Sequence, residues 1–130
     1  MLSVRDLRVS YGMSEVIHGI DLDVGENETV AIMGRNGMGK TTTVRTIMGL
    51  VPAHAGAIRY RDLAIHQLPS FRIAKLGLGL VPEGRQIFPN LSVRENLTAT
   101  AGNRNRSGNP WVLDRIYELF PLLRERQDRR

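Results

Sequence analysis

Residues Gly34-Arg35-Asn36-Gly37-Met38-Gly39-Lys40-Thr41 limit what this chain can fold into more than any other stretch. They fit the P-loop pattern G-x-x-x-x-G-K-[ST], and the mechanism explains the spelling. Gly34, Gly37 and Gly39 allow positive φ and a close approach of backbone to an anion, with no Cβ in the way. Successive N–H groups then converge on one concavity that can cradle phosphate oxygens. A helix that starts at the loop adds the partial positive charge of its N-terminus. Lys40 is expected to set a point charge on the β- and γ-phosphates of a nucleotide, and the Thr41 hydroxyl to ligate Mg²⁺.

The flanks agree with the motif. Glu28-Thr29-Val30-Ala31-Ile32-Met33 carries a short apolar run, the pattern of a strand buried on both faces. Behind the loop, Val44, Ile47, Met48 and Val51 recur at helical spacing, and Pro52 is expected to stop that helix.

At 130 residues the chain is one domain or a piece of one. It has no apolar run long enough to cross a bilayer. Arg5, Asp6 and Arg8 interrupt its first apolar stretch, so the N-terminus does not read as a signal peptide. With no cysteine there are no disulfides and no thiolate metal sites. His18, His54 and His66 lack ligand spacing and read as ordinary histidines. The net charge of +5 raises the question of nucleic acid. The arginines are scattered, however, and in the one dense region Glu125 and Asp128 interrupt Arg124, Arg126, Arg129 and Arg130, as on a solvated helix face.

In chain order, Leu7, Val9 and Tyr11 alternate, as do Ile20, Leu22 and Val24, predicting two half-buried strands with a turn from Gly12 to Val16 between them. Asp21 and Asp23 fall on the outer face of the second strand, so alternation accounts for them without acid–base chemistry. Gly25-Glu26-Asn27 reads as a turn. Ile58 and Tyr60 suggest a short strand after Gly56. Residues 69–76 predict a short helix stopped by Gly77, and Leu78-Gly79-Leu80-Val81 a buried strand. Ser92-x-x-Glu95 is a capping box that starts a helix at Val93. Residues 102–108 read as a polar loop. Asn109-Pro110 predicts a helix start, with Leu113, Ile116, Tyr117 and Phe120 on one face and Pro121 at its end.

Together these features resemble the ATP-binding subunit of an ABC transporter along essentially the whole chain. The resemblance implies an α/β P-loop NTPase of the ABC type. It would have an N-terminal antiparallel β part, a βα P-loop core (1–84) and the start of a helical subdomain (85–130). Tyr11, at the end of the first strand, stands where the family has an aromatic that stacks on adenine. The backbone from Asn36 through Thr41 to Thr42 would hold the phosphates. The family's Q-loop glutamine, which touches Mg²⁺ and water and relays motion to the membrane subunits, corresponds to Glu83. A carboxylate there could ligate Mg²⁺ or pair with an arginine. The string Val81-Pro82-Glu83-Gly84-Arg85, then Ile87-Phe88-Pro89, is similar to the ATPases of branched-chain amino-acid importers, with urea and amide transporters as close relatives.

The family's Leu-Ser-Gly-Gly-type signature, its Mg²⁺ aspartate, its catalytic glutamate and its switch histidine are not among these 130 residues. The resemblance therefore implies an N-terminal portion with no catalytic residue of its own, binding nucleotide weakly and not hydrolysing it at a useful rate. The whole protein is expected to use ATP and Mg²⁺ on the inner face of the cytoplasmic membrane. Its expected partners are transmembrane permease subunits, a second ATP-binding subunit packed head to tail and, indirectly, a solute-binding protein, with no nucleic acid. Residues 83–96 would face the permease. The alternatives are a soluble ABC ATPase acting on nucleic acid or ribosomes, a P-loop kinase or GTPase, and a non-functional gene fragment.

Overall fold

A computed structural model describes residues 1–84, 86–99, 101–102 and 108–130. The chain divides into two compact units, Met1–Leu78 and Gly79–Arg130. Arg85 and most of the expected 102–108 loop lie outside the described residues. Among the described residues no helix is long and apolar enough to cross a membrane.

The first unit is built on an antiparallel hairpin of β1 (Leu2–Tyr11) and β2 (Ser14–Val24). The turn is only Gly12 and Met13, shorter than expected, because Tyr11 already pairs with Ser14. β3 (Ala55–Tyr60) joins the other side of β1, and β4 (Leu63–Ala64) pairs with β3, giving the order β2-β1-β3-β4. Leu7 and Val9 of β1 and Ile58 and Tyr60 of β3 are buried as the alternation predicts, and Ile20, Leu22 and Val24 are half-buried, whereas Tyr11 is exposed. Val4 and Ile17, beyond register shifts in the ladder and outside that alternation, are buried as well. The β1 ladder is interrupted at Asp6, which takes φ 42°. Its N–H, lost to the ladder, is taken up by the Asp21 carboxylate at 2.7 Å. Asp23 receives the Arg5 guanidinium at 2.7 Å, and that hydrogen bond holds its carboxyl below the usual range. The two outer-face aspartates thus brace the sheet.

α1 (Lys40–Ile47) ends before Pro52 is reached. Gly49 takes φ 67°, its N–H bonds the Thr46 carbonyl at 2.9 Å, and the Leu50 N–H bonds the Arg45 carbonyl at 2.9 Å. This pair of bonds is a Schellman stop, which consumes the last carbonyls and turns the chain. Ile47, Met48 and Val51 are buried as the spacing predicts, but Val44 is exposed. α2 (Ser70–Lys75) follows, with Pro69 before it and buried Ile73 on its inner face.

Two expected strands do not form. Residues 28–33 carry no ladder, and Val30, Ile32 and Met33 are exposed; residues 78–81 carry none either. A strand is not a local structure. Its N–H and C=O groups must be matched by neighbours, and a parallel strand takes them from chain distant in sequence. Among the described residues neither segment finds such a neighbour.

In the second unit, α3 (Val93–Ala99) begins at the predicted capping box: the Ser92 N–H donates to the Glu95 carboxylate at 2.7 Å, and the Glu95 N–H to Ser92 Oγ at 3.3 Å. The hydrogen bond from the Ser92 backbone holds the Glu95 carboxyl below its ordinary value. The next orphan donors of this helix, the N–H groups of Val93 and Arg94, reach the carbonyls of Arg129 and Gln127, both at 2.9 Å. α4 (Leu113–Leu119) starts three residues after Pro110. Trp111 and Val112 stay extended, and Arg115 reaches back instead, its guanidinium 4.4 Å from the Trp111 ring centre and 3.3 Å from the Asn109 carbonyl. Tyr117 is buried, whereas Phe120 is exposed. Pro121 ends α4, as expected, and opens α5 (Pro121–Glu125). Arg124, Arg126, Arg129 and Arg130 are exposed, as on a solvated face.

Candidate nucleotide-binding site

The glycine loop enters α1 from its N-terminal end, and the local chemistry leaves that end open. Gly37 and Gly39 take φ 83° and 84°, the left-handed conformation that glycine adopts without steric cost. Gly39 is also buried: a Cβ built on it would stand 3.2 Å from the Val16 carbonyl oxygen and 3.2 Å from Ile17 Cγ1 of β2. The loop is thus pressed onto the hairpin at the point where the helix begins.

The first turn of α1 contains no acidic residue, and no side chain caps it. α3 shows the contrast, because its own Ser92 and Glu95 take up the same kind of donors. The Lys40 side chain curls back over the loop and donates to the carbonyls of Gly34 at 2.6 Å and Arg35 at 2.8 Å. Two of the three ammonium donors thereby hold the loop, and the positive charge sits beside the uncapped helix end. Both features favour an anion. Asn36 and Met38 are exposed, and the Met38 N–H closes a small turn onto the Arg35 carbonyl at 3.3 Å. Thr41 is exposed and Thr42 half-buried on the first turn.

Thr43 escaped the sequence reading. It is buried, and both its N–H and its Oγ1 donate to the Gly39 carbonyl, at 2.8 and 2.9 Å. Two donors fix the peptide at the loop–helix junction, which orients the N–H groups around it. The Thr41-Thr42-Thr43 run was the available signal, but only burial distinguishes its third member.

Tyr11 is half exposed at the end of β1. It pairs with Ser14, and Val16, on which Gly39 rests, lies two residues further along β2, about 7 Å by strand geometry. Tyr11 and the glycine loop therefore occupy the same end of the hairpin. Glu83 belongs to the second unit and is exposed there. Among the described residues no group of three or more His, Asp or Glu side chains is placed to hold a metal ion. A single hydroxyl such as that of Thr41 suits a metal brought in with phosphates, since Mg²⁺ usually completes its shell from substrate oxygens and water.

A glycine loop that delivers a lysine to an uncapped helix, set against an antiparallel hairpin, defines a P-loop domain of the ABC type. The ABC transporter family model matches residues 17–130, and the chain belongs to that family. The high-affinity branched-chain amino acid transport ATP-binding protein BraG of Pseudomonas aeruginosa is 35% identical over 130 residues, covering all of this chain and 56% of BraG. The lipopolysaccharide export system ATP-binding protein LptB of Escherichia coli K12 is 36% identical over 119 residues, covering 92% of this chain and 49% of LptB. The solved structure of an ATP-binding subunit of an ABC transporter matches with a TM-score of 0.75 at 28% identity, covering 98% of this chain and 53% of that one. The chain thus spans about half the length of the relatives it matches. BraG carries the branched-chain resemblance read from the sequence, and LptB shows that an export system has a subunit equally similar.

Proposed function

We propose that residues 1–130 form the N-terminal portion of one ABC ATP-binding domain and hold ATP, and that the whole protein powers import of branched-chain amino acids or related amides. The observation that carries the ATP reading is Lys40 lying over an α1 N-terminus that lacks any capping side chain or acidic residue. Tyr11 stacks on adenine. The backbone N–H groups from Asn36 to Thr42, with Gly34, Arg35, Gly37, Met38 and Gly39 shaping the loop, hold the phosphates. Lys40 exchanges its loop carbonyls for β- and γ-phosphate oxygens, and the Thr41 hydroxyl would hold a Mg²⁺ ion brought in with them. When bound, the metal neutralises phosphate charge.

In the whole protein, two such subunits close head to tail on ATP beneath transmembrane permease subunits at the inner face of the cytoplasmic membrane. A solute-binding protein delivers the cargo. Phosphoryl transfer depends on several positioned groups at once, so the 130-residue chain binds nucleotide without appreciable turnover. Support for the cargo comes from the 81–89 string and from BraG; LptB supports a second reading, lipid export.

Titrating the chain with Mg·ATP tests the first part: saturable binding lost in Lys40→Ala supports it, and equal binding by both proteins refutes it. Uptake of labelled leucine by vesicles containing the whole transporter tests the cargo. ATP-dependent uptake supports import, and ATP-driven release of lipopolysaccharide in its place refutes it.

A further inference from the structure

Asn36-Gly37 is the only Asn-Gly pair in the chain, and the fold sets it at the middle of a turn. The Met38 N–H bonds the Arg35 carbonyl at 3.3 Å, so Asn36 and Gly37 are the two central residues, and both are exposed. Gly37 takes φ 83°, and a Cβ built on it would meet nothing within 4 Å, so the space around the pair is open. Among the described residues the Gly37 N–H has no hydrogen-bond partner. Two other asparagines differ. The N–H after Asn90 bonds the Phe88 carbonyl at 3.1 Å, and the Asn96 amide is held by the Phe88 N–H and by the carbonyls of Phe88, Leu91 and Ser92.

The charges beside the Asn36–Gly37 peptide favour removal of its proton. Lys40 Nζ lies 2.8 Å from the carbonyl of Arg35, the residue before the pair. α1 opens three residues after Gly37, with no acidic residue in its first turn and no capping side chain. A cation and a helix N-terminus stabilise an amide anion for the same reason that they attract phosphate.

We propose that Asn36 is a self-modification site through which the loop loses its nucleotide affinity with age. The Gly37 nitrogen gives its proton to hydroxide and attacks Asn36 Cγ. The new C–N bond closes a succinimide ring, and the side-chain amide leaves as ammonia, taking its third proton from water. A second water opens the ring, at Cγ to give aspartate or at the main-chain carbonyl to give isoaspartate. In net terms one water is consumed and one ammonia released. Either product sets a carboxylate in the anion-binding loop. Isoaspartate also adds a methylene to the main chain, which displaces the N–H groups that follow. Nucleotide opposes the reaction, because phosphate oxygens occupy the Gly37 N–H; this part rests on the ATP reading above.

The test incubates the full-length protein in warm, mildly alkaline buffer, with and without saturating Mg·ATP, beside a synthetic peptide of residues 33–39. Peptide mass mapping reads conversion at residue 36. Asn36 should convert ahead of Asn90 and Asn96, at a rate proportional to hydroxide and within about tenfold of the free peptide. Conversion far slower than in the peptide shows that the fold protects the pair and overturns the proposal. Mg·ATP should slow the conversion, and equal rates with and without it overturn the protection. ATP binding should fall in step with the fraction converted, and Asn36→Asp should bind ATP at least about tenfold more weakly than unconverted protein. Undiminished binding by converted protein overturns the link to nucleotide. Asn36→Gln, whose longer side chain closes a ring far more slowly, should keep its starting ATP affinity through the incubation; a decline like that of wild type places the damage elsewhere and overturns the assignment to Asn36. Fresh wild type that does not bind Mg·ATP overturns the ATP reading, while the mass map still decides the modification.

Discussion

Gly37 and Gly39 offer a controlled comparison within one loop. Their φ values are 83° and 84°, so an alanine at either pays the same backbone penalty, about 1–2 kcal/mol for a left-handed L-residue. Their surroundings differ. A Cβ on Gly37 meets nothing within 4 Å, whereas on Gly39 it stands 3.2 Å from a backbone oxygen and 3.2 Å from a buried methylene. The oxygen belongs to β2, whose place in the ladder keeps it from yielding, so forced expansion there adds about 1–3 kcal/mol. Gly37→Ala should therefore cost about 1–2 kcal/mol and Gly39→Ala about 2–5 kcal/mol of unfolding free energy. Urea unfolding of both variants of the full-length protein, at constant m-value, reads the difference directly. Equal midpoints would refute the packing of the loop on Val16 and Ile17, and with it the placing of Tyr11 at the same end of the hairpin.

Three further outcomes are expected. Lys40→Ala should weaken Mg·ATP by about a hundredfold, from roughly 2–3 kcal/mol of charge-assisted hydrogen bonding, as read by calorimetry. Tyr11→Ala should weaken ATP by about tenfold, since a stacked base is worth roughly 1–3 kcal/mol, yet leave inorganic triphosphate binding unchanged; a parallel loss for both ligands would remove Tyr11 from the base site. Acid should act through Asp23 and Glu95, whose folded carboxyls titrate below their ordinary values. A depressed folded value means stability fully present above the unfolded carboxylate range and lost as the pH falls through the folded one, so unfolding midpoints should be flat from neutrality to mild acid and drop below that range, with a smaller drop in Glu95→Gln.

What the sequence disclosed follows the distance over which each interaction acts. The capping box at Ser92 and Glu95 closes within four residues, so its two hydrogen bonds could be named before any fold was known. The loop is equally local: glycine spacing, Lys40 and the helix behind it require no distant partner. Alternation placed Tyr11 on a strand end, and only the pairing with Ser14 and the seat of Gly39 on Val16 show that the glycine loop shares that end of the hairpin. The stop of α1 was misread because Pro52 is the louder signal, while Gly49 acts earlier by releasing the last carbonyls. Residues 28–33 and 78–81 failed for the opposite reason. Their apolar runs are the composition of central parallel strands, and composition states that both faces should be covered without supplying the cover. Relatives about twice the length of this chain belong to the same family. The glycine loop is held from below by Gly39 on β2 and from within by Thr43 and Lys40. The shape of the glycine loop is therefore set partly by its own residues and partly by the hairpin beneath it.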